Sequence, residues 1–271
     1  AGAERLVPLL EEEERQMADE VPDEFKHIET IEFEHVWFSY NNNDIYALED
    51  FTLNIKAGEF IGIVGPSGSG KSTLLSLLMG VYKPTRGAIY INGINIAKYD
   101  SSVLRHLMGY VFQQAYLFKG SIRDNLTLFD TSISNEEIVN AAKQVNLDAM
   151  IEQLPEGYDT PVGYLGSLLS DGQKQLLAFG RTLIKKTPIL LLDEATANID
   201  SHTEKQIQAS IESIRGSKTI VSIAHRLSTV EDANKIVYME YGKIIEKGSF
   251  DELINLKGAF YNLWNNQHSG S

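Results

Sequence analysis

Eight residues constrain this chain more than any others. Gly65-Pro-Ser-Gly-Ser-Gly-Lys-Ser72 follows an almost wholly apolar run at 60–64 and precedes Thr73-Leu-Leu-Ser-Leu-Leu-Met79, which patterns as a helix. A short apolar run bounded by turns reads as a strand buried on both faces. The segment is therefore strand, glycine loop and helix, the setting in which G-x-x-x-x-G-K-[ST] cradles phosphates. Glycines let the loop curl with its N–H groups inward, which makes a concave anion site. The following helix adds its positive end. Lys71 supplies a point charge for β- and γ-phosphates, and the Ser72 hydroxyl can ligate Mg2+. An ordinary glycine turn would not place Lys-Ser between a buried strand and a helix. Gly65, Pro66, Ser67, Gly68, Ser69, Gly70, Lys71, Ser72 and Thr73 are thus the candidate phosphate-binding residues.

Similar apolar runs recur at 109–112, 189–192, 219–223 and 235–239, with helical stretches between several of them. Strands alternating with helices point to an α/β fold with a mainly parallel sheet. Ile31, Phe33, Val36 and Phe38, then the alternating run at 51–55, add an extended region before the phosphate loop. Residues 115–187 interrupt the alternation. Ser134-Asn-Glu-Glu137 matches a capping box opening a helix through about Val145, and a second helix runs from Asp171 to about Lys185. The run Ile189-Leu-Leu-Leu-Asp-Glu194 ends in two carboxylates. Alone it is an unremarkable strand leaving a core. Paired with the phosphate loop, Asp193 can hold the Mg2+ shell and Glu194 can polarise an attacking water, because ligands gather at the carboxyl ends of parallel strands.

Composition excludes several classes. Of 271 residues, 43% are hydrophobic and 23% charged, which are globular values. The formal charge of −13 argues against non-specific nucleic-acid binding, which needs a basic face. With no cysteine, disulfides and thiolate metal sites are excluded. No apolar run approaches the roughly 20 residues of a membrane helix, and no signal-peptide pattern is present. Residues 1–24 hold nine acids and two bases, a net −7 and more than half of the total charge. Residues 1–27 are read as a solvated acidic linker, and residues 269–271 as a linker-like appended tail.

Further motifs carry a family resemblance. Leu169-Ser-Asp-Gly-Gln173 lies twenty residues before Asp193 and resembles the signature of ABC ATPases. Gln113, in Val-Phe-Gln-Gln-Ala-Tyr-Leu-Phe118, stands where their glutamine loop begins. Ala197-Asn-Ile-Asp200 is similar to their D-loop, His225 to their switch histidine, and Tyr40 to the aromatic that stacks on adenine. These motifs occur in family order over about residues 28–265. The resemblance implies a P-loop NTPase with a RecA-like, mainly parallel core over residues 28–268, an N-terminal antiparallel β region and an inserted α-helical subdomain at about 115–187. Leu117-Phe-Lys-Gly-Ser-Ile-Arg-Asp-Asn-Leu126 resembles exporter-type domains in particular. It implies the cytoplasmic ATPase piece of a longer protein, at the cytoplasmic face of a membrane, whose membrane domain precedes residue 1.

In that family two ATPase domains close head to tail around two Mg2+-ATP molecules. Carried over, Lys71, Gln113, Glu194 and His225 are the catalytic candidates, with Glu194 as base. Ser72, Gln113 and Asp193 would attend the metal. Tyr40 would meet the adenine. Ser170, Gly172 and Gln173 would cap the partner's γ-phosphate, and Asp200 would communicate across the dimer. The expected partners are a second ABC ATPase domain, as homodimer or heterodimer, and the membrane domains of the same transporter, with no nucleic acid. Two positions depart from the pattern. Asp171 replaces the signature's usual glycine: either it points away and favours the first turn of its helix, or the signature serves a weakened site in a heterodimer. Tyr164 replaces the Glu of V-G-E-x-G, which bears on a contact to the membrane domains. Two other classes share the phosphate chemistry: a non-transport ABC clamp on nucleic acid or ribosomes, and a regulatory module that closes without hydrolysing.

Overall fold

A computed structural model of the chain describes residues 22–41, 45–195, 199–224 and 226–268. Two sheets organise them. β1 (Thr30–Phe38), β2 (Leu48–Lys56), β4 (Arg86–Ile91) and β5 (Ile94–Asn95) form an antiparallel sheet in the order β2-β1-β4-β5. β3 (Phe60–Val64), β6 (Met108–Val111), β7 (Ile189–Asp193), β8 (Thr219–Ile223), β9 (Lys235–Glu240) and β10 (Lys243–Gly248) form the second, in the order β10-β9-β3-β8-β7-β6. Every neighbouring pair in it is parallel except β9 with β10. β3, which leads into the phosphate loop, is thus an interior strand between β8 and β9.

The apolar runs follow from this arrangement. Successive side chains of a strand point to opposite faces, and both faces of the parallel sheet are covered. Ile189, Leu191, Val221 and Ile223 join a core shared with the antiparallel sheet and with α1 (Lys71–Leu78). Leu190, Leu192 and Ile220 join a core on the other face. α2 (Ser101–His106) precedes β6. The expected helical insertion is α3 (Ile122–Thr127), α4 (Asn135–Gln144), α5 (Asp148–Glu152) and α6 (Asp171–Ile184). Ser134 caps α4 through the capping box read from the sequence. α6 is tied to the preceding loop by Arg181, whose guanidinium donates to Tyr116 O, Asn125 O and Asn125 Oδ1, each at 2.6 Å. Burial lowers its pKa to about 10, so this cation is held by neutral oxygens rather than by a carboxylate. α7 (Ser201–Ile214), α8 (Phe250–Leu256) and α9 (Ala259–His268) complete the layer.

Two features differ from the sequence reading. The β4–β5 hairpin, which widens the antiparallel sheet, carried no strong alternation. The chain also joins the core before residue 28: Asp23–Phe25 is a 3-10 turn whose Phe25 is buried. Asn92 ties that stretch down, donating to Glu24 O at 2.9 Å and accepting from Glu29 N at 2.7 Å. The rest of the acidic segment, residues 1–21, and the tail at 269–271 lie outside the described residues. No helix among the described residues is long and apolar enough to cross a membrane.

Candidate active site

The phosphate loop leaves β3 at the carboxyl edge of the sheet and enters α1 through Gly70. That residue has φ +98°, and a Cβ there would lie 2.3 Å from Ala47 O. Both facts require glycine, because L side chains rarely adopt this backbone and the carbonyl leaves no room. Lys71 is buried, and its ammonium donates to Gly65 O at 2.9 Å and Pro66 O at 2.8 Å. Burial lowers its pKa, opposed by the charges of Glu194 and Asp193. The lysine is therefore folded back across its own loop, where a phosphate would replace two carbonyls. Ser69 Oγ is buried with no partner among the described residues. Tyr40, 55% exposed, shares a hydrogen bond with Thr73 Oγ1 at 2.9 Å and packs edge-on against Phe38 and Tyr82.

β7 lies two strands from β3 and brings two carboxylates to the same edge. Ser72 Oγ donates to Asp193 Oδ1 at 3.4 Å, and Tyr110 OH, from β6, donates to Asp193 Oδ2 at 2.7 Å. Burial, followed by the Asp193 carboxylate, raises the Tyr110 pKa, which keeps it a donor. Glu194 has φ +49° and its N–H donates to Ile223 O at 3.0 Å. A non-glycine residue in this region stores strain, a trait of functional turns. Gln113 Nε2 donates to Glu194 Oε2 at 2.7 Å, so the glutamine loop already touches the candidate base. The oxygens of Ser72 and Asp193 are hard donors of the kind Mg2+ takes. Among the described residues no group of three or more His, Cys, Asp or Glu side chains could hold a metal. That suits Mg2+, which binds through one or two protein oxygens, water and substrate phosphates.

A cleft of about 580 Å3 joins part of the phosphate loop to Gln113 and Glu194, lined by Gly65, Pro66, Lys71 and Arg226 among others. Ser170, Gly172 and Gln173 are not among its lining residues. They lie instead at the start of α6, where Ser170 Oγ accepts the Gln173 N–H and the Gln173 side-chain Oε1 accepts the Ser170 N–H. Gly172 packs so closely on α7 that a Cβ would meet Thr203 Oγ1 at 2.6 Å. Asp171 is exposed and accepts from Lys174 Nζ at 2.9 Å. The carboxylate thus sits in the first turn of α6 with a lysine as its counter-ion. Asp200 caps α7, accepting from the N–H groups of His202 and Thr203 and from Thr203 Oγ1. Those bonds lower its pKa.

His225 and the D-loop's Ala197 and Asn198 lie outside the described residues. Their flank is visible. Arg226 pairs with the buried Glu204 of α7, and Ser228 Oγ donates to the same carboxylate at 3.1 Å. Sequence reasoning missed Arg226, Glu204 and Tyr110. An Arg or a Tyr beside a motif carries no signal until strand register shows what it reaches. Tyr164 and Leu168, ahead of the signature, are 77% and 70% exposed, a surface with apolar character.

A family model described as ABC transporter matches residues 48–197. The chain is 43% identical over 233 residues to the beta-(1-->2)glucan export ATP-binding/permease protein NdvA of Bartonella bacilliformis, covering 86% of this chain and 39% of that protein. It is 40% identical over 271 residues to the ATP-dependent lipid A-core flippase of Legionella pneumophila, covering all of this chain and 46% of that protein. Among solved structures it matches a bacterial Atm1-family ABC exporter with ATP bound at TM-score 0.83 and 38% identity, over 89% of this chain and 42% of that one. The chain thus spans less than half the length of these relatives.

Proposed function

Because this chain belongs to the ABC transporter family, we propose that it is the ATP-binding and hydrolysing motor domain of an exporter. The observation that carries the chemistry is the convergence of Lys71, Asp193 and the Gln113–Glu194 pair on one sheet edge. The relatives' names, an exporter and a flippase, support transport over a clamp on nucleic acid. The acidic balance points the same way.

On this reading the inward N–H groups of the loop and Lys71 hold the β- and γ-phosphates of ATP. Tyr40 meets the adenine. Ser72 and Asp193 would hold Mg2+, with Gln113 beside it, and the ion would supply positive charge against the charge that develops on the transferring phosphoryl group. Glu194 accepts a proton from the water that attacks γ-phosphorus, and the bond to the β-phosphate oxygen breaks to give ADP and phosphate. Gln113, hydrogen-bonded to that base, gives the surface near the helical subdomain a mechanical route to the chemistry. His225 contacts the γ-phosphate.

The missing half of each site comes from a second ABC domain. Its Ser170 hydroxyl, Gly172 N–H and α6 N-terminus cap the γ-phosphate bound here. Closure around ATP then favours one state of the membrane domains, and hydrolysis releases it, so ATP acts by differential affinity for closed over open forms. The domain works at the cytoplasmic face of the membrane.

The test is Glu194→Gln. The amide keeps the shape and the Gln113 contact but cannot take a proton. Turnover should fall at least about 100-fold, while ATP binding persists and ATP-bound dimers accumulate in size-exclusion chromatography. Unchanged turnover would remove Glu194 as the base.

A further inference from the structure

Among the described residues, Asp193 is the carboxylate bonded to Ser72, while Glu194 is bonded to Gln113. No group of three or more acidic, His or Cys side chains that could hold a metal exists among the described residues. A site resting on a single carboxylate depends on how that carboxylate is turned. Its two oxygens are not equivalent here. Oδ2 accepts a 2.7 Å hydrogen bond from Tyr110, whereas Oδ1 faces Ser72 at the longer distance of 3.4 Å.

Tyr110 can do this because of register. β6 and β7 run parallel with Tyr110 beside Leu191, so its ring needs to reach only two residues along to Asp193 at the strand's end. The ring is fixed by Phe112, 4.4 Å away between centroids, and by the core under the antiparallel sheet. A donor on so stiff a support fixes the plane of the carboxylate it binds. Hydrogen-bond partners of ligating carboxylates commonly set metal affinity, and losing one weakens it by about 10–100-fold.

We propose that Tyr110 is a positioning residue for the magnesium carboxylate: its hydroxyl holds Asp193 Oδ2 so that Oδ1 is presented to the metal beside Ser72. This rests on the Mg2+-ATP reading above. It assigns a role to a strand residue that belongs to none of the nucleotide motifs. Tyr110→Phe removes one oxygen and keeps the ring, its stacking and its core contacts.

The experiment uses the 271-residue chain and Mn2+ as probe, followed by electron paramagnetic resonance in the presence of a non-hydrolysable ATP analogue. Nucleotide affinity without metal is measured separately in EDTA. Tyr110→Phe should weaken Mn2+ binding about tenfold and leave metal-free nucleotide affinity within about twofold. A hydroxyl that only stabilised the fold would not produce that split. Incorporating 3-fluorotyrosine at position 110 keeps the hydroxyl and should retain wild-type Mn2+ affinity. Its fluorine resonance should broaden strongly when Mn2+ and the analogue are added, a readout independent of how the Phe variant folds. Mn2+ affinity that is unchanged or tighter in Tyr110→Phe, or a fluorine line that stays sharp, overturns the inference alone. A wild-type chain with no analogue-dependent Mn2+ site overturns the nucleotide reading beneath it as well.

Discussion

A single methyl group added at Gly172 should destabilise the domain by about 1–2 kcal/mol, net of what alanine contributes to a helix. The Cβ would sit 2.6 Å from Thr203 Oγ1, 2.8 Å from Thr203 Cγ2 and 3.0 Å from Thr203 Cβ. These separations fall roughly 0.8 Å short of ordinary contact. Thr203 has little freedom to retreat: it is buried, β-branched on a helix and bonded through Oγ1 to Asp200 Oδ2 at 2.7 Å. Overpacking of this kind costs about 1–3 kcal/mol. Gly→Ala gains at most about 1 kcal/mol in a helix interior, and less at the second position of α6. The assay is urea unfolding of Gly172→Ala, Thr203→Ala and the double variant. The expected result is a lower midpoint for Gly172→Ala with the slope preserved. Thr203→Ala deletes Oγ1 and Cγ2, so the double variant should be about 0.5–1 kcal/mol more stable than the sum of the single changes implies. A Gly172→Ala domain as stable as the parent, or a double variant that is merely additive, would refute the claim that α7 is what excludes a side chain there.

Other outcomes follow from named contacts. Glu137 is bonded by Lys186 and by Ser134 of its own helix cap, in that order of effect, which lowers its pKa to about 2. A depressed carboxylate stabilises the fold above its unfolded pKa of about 4.5. That contribution fades as pH falls toward 2, so Glu137→Gln should lower Tm modestly at neutral pH, as for an exposed ion pair, and converge with the parent as pH falls through that window, flattening the acid limb. Lys174 supplies Asp171 with a counter-ion next to the proposed contact with a partner's phosphate. Lys174→Met should weaken ATP-driven dimerisation about two- to fivefold in analytical ultracentrifugation, in line with the modest strength of exposed pairs. Adding Asp171→Gly should restore it; no restoration would place the effect elsewhere.

The readable parts of this chain were those whose physics is local. A glycine loop between a buried strand and a helix needs only its own residues to be recognised, as does the capping box at Ser134. The wholly apolar run at 189–192 and the largely apolar one at 219–223 were legible because a strand covered on both faces cannot alternate. What stayed hidden depends on register and on distance in the chain. Tyr110 reaches Asp193 only because β6 pairs with β7, eighty-three residues apart along the sequence. Gly172 read as a phosphate donor, yet it also permits a helix contact that no spacing reveals. Phe25 lies in a stretch whose charge argued for solvent, and a single aromatic ring among acids sets up no periodic signal.

The bonding of Ser170 has a consequence for how copies of this domain can meet. A hydroxyl whose oxygen already receives the Gln173 amide has its hydrogen as the main thing left to offer. Around it the opening turn of α6 presents backbone N–H groups that lack intrahelical acceptors. Apart from the Asp171 carboxylate, which Lys174 pairs with, the patch gives protons and takes few. Two such patches repel one another's hydrogen-bonding demands, while each complements an electron-rich triphosphate. On the function proposed above, such a helix end would meet a triphosphate held by another domain more readily than it would meet its own copy.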